Sequence, residues 1–136
     1  MSNDVFVDTS FFKAFIDKND EFNNQALQIL IKLKSSNSLL VTSNYILDET
    51  FTVIRSKCTL DLAKDFKKAL EEFEGNLYIV RVLVKDERDA WEYFLKDWRN
   101  LSFTDCVSFA MMKRLGIIRA ATFDNHFQRA GFQIEG

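Results

Sequence analysis

The sequence predicts an α/β domain in three layers, with helices on both faces of a central parallel sheet of about four to five strands. Three observations carry this prediction. Short apolar runs rich in β-formers alternate with longer stretches of helical periodicity. The length of 136 residues suits one domain, so 1–136 is expected to fold as a single unit. Proline is absent, and no linker, repeat or low-complexity segment interrupts the pattern.

Val5-Phe6-Val7 reads as a buried strand that ends at Asp8. A short helix over 10–16 follows. Asp20 is expected to cap a second helix, in which Phe22, Ala26, Ile29, Leu30 and Leu33 recur at helical spacing. A second strand is expected at 38–42, and Ser43 or Asn44 then opens a helix reaching Lys57. Thr59 caps the next helix, with Ala63, Phe66, Leu70 and Phe73 on its apolar face. A third strand covers 77–80. A helix over 86–98 carries Ala90, Trp91, Phe94 and Trp98, and another runs over 104–115. A weak fourth strand at 119–123, a short helix at 124–130 and a last strand at 132–134 complete the chain. Gly75, Gly116 and Gly131 each follow a helical pattern and read as helix stops, since glycine enters the left-handed conformation without a Cβ clash.

An apolar content of 47% excludes intrinsic disorder. Eighteen basic against 20 acidic residues, a net charge of −2, exclude a generally basic coat on nucleic acid. Cys58 and Cys106 are far apart and lie in no Cys-x-x-Cys motif, so two reduced core thiols are expected. With His126 as the one histidine, no zinc site of the usual ligand spacing can be built. The N-terminal segment lacks the basic start and apolar run of a signal peptide, and no stretch approaches the ~18 apolar residues of a membrane span. A soluble, cytoplasmic protein is expected.

In parallel α/β sheets, sites form outside the carboxyl ends of the strands. Asp8 follows the first strand and Asp124 the fourth. Each reads either as a helix cap or as a metal-binding carboxylate, and neighbouring parallel strands would set the two side by side. On a helical wheel at ~100° per residue, Glu49 shares a face with Tyr45, Ile46 and Val53. Asp48 instead shares the polar face of Asn44, Thr52 and Arg55. A carboxylate on an apolar face is costly unless it is paired or bound to metal, so Glu49 implies a buried ion pair or a metal site. Asp105 has capping-box spacing from Ser102 and opens a helix, 106–112, that is apolar nearly all round and must be buried. Four acids from four segments could therefore converge. Their mutual repulsion would be relieved by a hard divalent cation such as Mg²⁺ or Mn²⁺, which points to metal-assisted phosphodiester hydrolysis.

At these residues the sequence resembles the PIN domain, the nuclease fold of the VapC toxins. Val5-Phe6-Val7-Asp8-Thr9-Ser10 is similar to the family's opening strand and first acid. Residues 42–50, with Glu49 as the acid, are similar to its second motif. Leu101-Ser102-Phe103-Thr104-Asp105, followed by Lys113-Arg114-Leu115-Gly116, resembles the third. Ala121-Thr122-Phe123-Asp124-Asn125-His126-Phe127, with Ala130-Gly131-Phe132, resembles the fourth. The four motifs occur in order over nearly the whole chain. The resemblance implies a Mg²⁺- or Mn²⁺-dependent ribonuclease in which Asp8, Asp105 and Asp124 hold metal. Glu49 would complete the acidic pocket, through water or as a proton acceptor. Thr9 and Thr104 would support the site by hydrogen bonds. It further implies an RNA substrate, a VapB-like antitoxin as partner and a homodimer. The missing proline departs from the usual second motif without touching the chemistry.

Other residues have simpler readings. His126 reads as a partly exposed residue of the short helix after Asp124, with a general acid or a phosphate contact as the functional alternative. The 14 phenylalanines fall mostly on core faces, while Phe11, Phe12 and Phe15 are candidates for a partner contact. Some of Trp91, Tyr93 and Trp98 should line a core or a dimer interface. Arg55, Lys57 and Arg99 are candidate phosphate contacts. Three alternatives compete with the toxin ribonuclease. One is a PIN-fold nuclease of RNA processing outside a toxin–antitoxin pair, and another is a catalytically inactive binding module. A phosphotransfer domain is disfavoured because Asp8-Thr9-Ser10 lacks an Asp-x-Asp pattern. With four of the 20 acids assigned to one pocket, the rest of the chain is slightly basic, so RNA binding should need metal and weaken with salt.

Overall fold

The structure, a computed structural model, describes residues 3–73 and 75–135; Glu74 of the first glycine stop lies outside them. Five strands, β1 (Asp4–Val7), β2 (Leu39–Ser43), β3 (Leu77–Val80), β4 (Arg119–Ala121) and β5 (Gln133–Glu135), pair in parallel in the order β3-β2-β1-β4-β5. Seven helices join them: α1 (Thr9–Ile16), α2 (Asn23–Ser35), α3 (Asn44–Lys57), α4 (Leu60–Glu72), α5 (Val84–Phe94), α6 (Phe103–Leu115) and α7 (Asn125–Arg129). The result is the expected α/β/α arrangement.

Strand order decides where a site can form. The chain builds outward from β1 through β2 to β3, then returns to the other side of β1 with β4. The connections leaving β1 and β4 diverge at this reversal and open a crevice at the strands' carboxyl ends. Val7 pairs with Ala121, so the next residues of both strands emerge together.

Local chemistry set most boundaries. Ser43 caps α3 by accepting from the N–H of Ile46, and Thr59 caps α4 by accepting from that of Leu62. Gly116 closes α6 at φ 70°, where a Cβ would be strained. Helix α6 runs through the interior, and its residues 106–112 are all buried, as their apolar character required. Phe109 meets the rings of Tyr93, Phe127 and Phe132, joining α5, α6, α7 and the approach to β5 in one core.

Several expectations need correction. Asp20 does not cap α2. Phe22 occupies that position without a side-chain bond, because Asp20 folds into the preceding turn, with Oδ2 bound by Lys13 Nζ at 2.8 Å. Helix α5 starts at Val84 rather than Asp86, because the Asp86 carboxylate reaches back to the N–H of Leu83 at 2.9 Å. It ends at Phe94, which leaves Trp98 outside the helix. The fourth strand stops at Ala121, since Thr122 and Phe123 turn into the site. Phe11 and Phe12 are buried and so offer no partner surface. Cys106 is buried, but Cys58 is only partly so, its thiol directed to Asp17 at the edge of the core.

Candidate metal centre

Asp8 stands where β1 gives way to α1. Its N–H donates to the carbonyl of Ala121 at 3.1 Å, extending the β1–β4 ladder by one residue. Its Oδ2 caps α1, accepting from the N–H of Ser10 at 3.4 Å, and also accepts from Ser10 Oγ at 2.9 Å and Thr122 Oγ1 at 2.8 Å. Thr122 directly follows β4, so this last bond ties two neighbouring strand ends together. Asp124 caps α7, its Oδ1 accepting from the N–H of His126 at 2.9 Å, while its own N–H donates to Thr122 Oγ1 at 3.0 Å. The cap and the site are therefore compatible roles. In each acid one oxygen serves the helix end, and the other has no hydrogen bond among the described residues.

Asp105 forms the expected capping box. Ser102 Oγ accepts from its N–H at 3.0 Å, and its Oδ2 accepts from the N–H of Ser102 at 3.2 Å. Because α6 is buried, this acidic first turn is pinned beneath the sheet's carboxyl edge. Glu49 projects from α3 on the face the wheel assigned, half-buried, while Asp48 is exposed. It makes no ion pair among the described residues. Asp8, Glu49, Asp105 and Asp124 together line one cavity of about 310 Å³.

The electrostatics match this crowding. Asp8 is 3% exposed and its pKa is raised to about 6. Burial is the main cause; the hydrogen bonds from Thr122 and Ser10 oppose it, and the charges of Asp124 and Glu49 add to it. Asp105 is 6% exposed and is raised to about 7, by burial first and then by the charges of Asp8 and Asp124, against the Ser102 N–H. The neighbouring Cys106 thiol is pushed up to about 11 by burial and by Asp105.

The donors fit a divalent cation. The ligand atoms of Asp105, Asp124 and His126 all lie within 4.8 Å of one another. Nδ1 of His126 is buried and makes no hydrogen bond, although it lies 3.0 Å from Asp124 Oδ1 and 3.7 Å from Asp105 Oδ2. A cation answers both the orphaned nitrogen and the repelling acids.

Sequence reasoning missed several participants. Ser10 and Thr122 hold Asp8, a task no local pattern advertises, because the two hydroxyls are 112 positions apart and 3.1 Å from each other. Lys13 lines the cavity one turn beyond Thr9, with its charge held by Asp17 and Asp20. His126 stands partly exposed in α7, as expected, but its side chain, 14% exposed, lies beside Asp124 and Asp105. Its place two positions after a capping acid was the available signal. Thr9 lines the cavity, but its hydroxyl bonds the Ile46 carbonyl and Thr50 and so braces α1 against α3. Thr104 contributes its carbonyl, as acceptor from Ser108, and its hydroxyl has no bond among the described residues. Arg55, Lys57 and Arg99 are exposed and lie outside the cavity lining.

The family model described as PIN domain matches residues 5–133. The 23S rRNA-specific endonuclease VapC20, from two strains of Mycobacterium tuberculosis, is 33% identical over 129 residues, covering 94% of this chain and 95% of the relative. The crystal structure of Mycobacterium tuberculosis VapC20, titled a Sarcin-Ricin loop cleaving toxin, superposes with a TM-score of 0.82 at 32% identity, over 94% of this chain and 95% of that one. The same fold recurs in VapBC2 from Rickettsia felis bound to a promoter DNA fragment, with a TM-score of 0.66 at 17% identity, covering 97% of each chain. It recurs also in FitAcB from Neisseria gonorrhoeae, with a TM-score of 0.65 at 15% identity, over 97% of this chain and 96% of that one. With four acids at the carboxyl edge of its sheet and a family match running almost from end to end, the chain belongs to the PIN domain family.

Proposed function

We propose that this chain is a metal-dependent endoribonuclease that hydrolyses RNA phosphodiester bonds as the toxin of a toxin–antitoxin pair. One observation carries the chemistry: four carboxylates from four segments line a single cavity beside the strand reversal. Asp8, Asp105 and Asp124 would hold Mg²⁺ or Mn²⁺, and Glu49 would accept a proton from the attacking water, directly or through a second water. The bound cation supplies a more acidic water and charge neutralisation at phosphorus. The chain supplies rigidity. Ser10 and Thr122 orient Asp8, Ser102 orients Asp105, and the α7 cap orients Asp124.

The relationship to VapC20, an rRNA endonuclease and toxin by its names, supports RNA as the substrate and a VapB-like antitoxin as the partner. The same reading takes 1–136 as one PIN-like domain acting in the cytoplasm. Among the described residues no helix is long and apolar enough to cross a membrane. A homodimer belongs to this reading too, and the exposed Val84, Trp91 and Leu95 of α5 and its end offer it an apolar face.

The decisive test incubates purified protein with a 23S sarcin–ricin stem-loop RNA in Mg²⁺, Mn²⁺ or EDTA. Cleavage in metal, absent with EDTA and in Asp8→Asn, is the expected result. Intact RNA in every metal, with antitoxin binding unaffected by Asp8→Asn, would identify an inactive binding module instead.

Two further results are expected. Asp8 and Asp105 retain protons up to about pH 6 and 7, so Mg²⁺ or Mn²⁺ must displace them. Calorimetric titration should show affinity rising between roughly pH 5 and 8, with proton release. A pH-independent isotherm would contradict this. Ser10→Ala and Thr122→Val each remove a hydroxyl from Asp8 Oδ2. Each should weaken metal affinity by about 10-fold while the fold persists, as outer-shell bonds to ligands generally do.

A further inference from the structure

We infer that His126 is itself a ligand of the metal ion, joining Asp105 and Asp124 through the Nδ1 lone pair, and that this nitrogen shifts the site's preference from Mg²⁺ toward Mn²⁺. The inference rests on the metal-dependent reading above and adds a residue and a selectivity to it. Three observations lead there.

First, the tautomer is set from outside the pocket. Nε2 of His126 lies 2.8 Å from the backbone carbonyl of Arg99, and a carbonyl only accepts. Nε2 therefore carries the hydrogen, and in the neutral ring Nδ1 presents a lone pair. This is the outer-shell bond that commonly fixes a metal-bound imidazole, with a backbone carbonyl holding the far nitrogen.

Second, the lone pair faces the acids but is not bonded to them. Nδ1 is 3.0 Å from Asp124 Oδ1 and 3.7 Å from Asp105 Oδ2. Yet it is a buried atom with no hydrogen bond. A lone pair beside a carboxylate is repulsive as it stands. Neighbouring ligands of one octahedral ion, at bonds of ~2.1 Å and right angles, are separated by roughly 3.0 Å, and both aim at a shared third point. The Nδ1–Asp124 contact has that separation, and all three ligand atoms fall within 4.8 Å.

Third, the ring is held in its plane. Trp98 lies parallel to it, with 4° between the planes and centroids 6.4 Å apart, and Arg129 covers the Trp98 ring at 4.8 Å. Imidazole nitrogen suits transition ions, whereas Mg²⁺ strongly favours oxygen, so a mixed nitrogen–oxygen set discriminates between the two.

His126 is the single histidine of the chain, which makes the test unambiguous. Mn²⁺ is added to tag-free protein in a buffer without nitrogen ligands, and electron spin echo modulation is recorded with natural-abundance and ¹⁵N-histidine protein. The expected result is a directly coordinated imidazole nitrogen whose signature changes with the label. In addition, His126→Ala should lower Mn²⁺ affinity on the order of 10-fold and Mg²⁺ affinity distinctly less, at an unchanged circular dichroism spectrum. Bound Mn²⁺ without histidine coupling overturns the inference and leaves the ribonuclease reading intact. Equal losses for both ions overturn the selectivity. No Mn²⁺ or Mg²⁺ binding by wild type overturns both readings together. The wild-type spectrum decides the ligand question even if the variant misfolds.

Discussion

Asp105→Asn is expected to abolish RNA cleavage while raising the melting temperature of the metal-free protein at about pH 8. The two effects have one origin. Asp105 is 6% exposed among Asp8, Asp124 and Glu49, and it holds its proton up to about pH 7. Its folded pKa lies above the unfolded value of 3.8, so its stabilising contribution is complete below that value and is lost as pH rises through about 7. Above pH 7 the folded state carries a carboxylate that burial and its neighbours disfavour. An upshift of this size corresponds to at most roughly 4 kcal/mol of stability forgone at alkaline pH. Asparagine keeps an oxygen for the N–H of Ser102, and so keeps the capping box, but carries no charge. A gain of about 5–10 °C follows at pH 8, shrinking toward zero near pH 4, where the wild-type carboxyl is protonated as well. Cleavage should fall on the order of 10³-fold, the consequence of losing several kcal/mol of metal-supplied stabilisation. A variant that still cuts RNA, or that melts below wild type at pH 8, would contradict the role assigned to Asp105. In the wild type, saturating Mn²⁺ should reproduce the stabilisation, and EDTA should remove it.

Asp86→Ala should be strongly destabilising, costing about 3 kcal/mol. Asp86 is 1% exposed and grips Arg114 with both oxygens, at 2.7 Å to Nε and 2.9 Å to the terminal nitrogen. It also accepts from the N–H of Leu83 at the start of α5. Burial pushes its pKa up, but the Arg114 hydrogen bonds, the Leu83 N–H and the Arg114 charge outweigh burial and hold it below the ordinary value. The contribution is therefore present above the unfolded pKa and lost only as acid protonates the carboxyl below it. Removing Asp86 strands the Arg114 guanidinium between α5 and α6. Urea denaturation of Asp86→Ala, Arg114→Met and the double variant checks this. The double variant should be more stable than Asp86→Ala, because the stranded charge is gone. Simple additivity of the two losses would show that the pair does not act as a unit.

Much of this protein is legible locally. Strands β1 and β3, helices α3, α4 and α6 and their caps at Ser43, Thr59 and Ser102 follow from apolar period and capping chemistry, which operate over a few residues. The four acids are legible for a related reason. A polar residue directly after an apolar strand, or a carboxylate on an apolar helix face, conflicts with its surroundings unless it has a task, and Asp8, Glu49, Asp105 and Asp124 all stand in such places. What remained hidden depends on contacts between distant segments. Asp20 has the makings of a cap, but its two oxygens go to Lys13 of the preceding helix and to the N–H of Phe22, ahead of the first turn of α2. Phe11 and Phe12 look available beside Asp8, yet packing buries them. Ser10 and Thr122 become partners only because β4 returns to the far side of β1, a choice of strand order that no short window encodes. His126 faces the acids only because the Arg99 carbonyl and the Trp98 ring, supplied by the segment after α5, orient its imidazole. The sequence alone thus determined which groups carry charge at the ends of which elements. Tertiary structure decided which oxygens and which nitrogen share one cavity, because hydrogen bonds and ring packing act across space between residues the chain holds far apart.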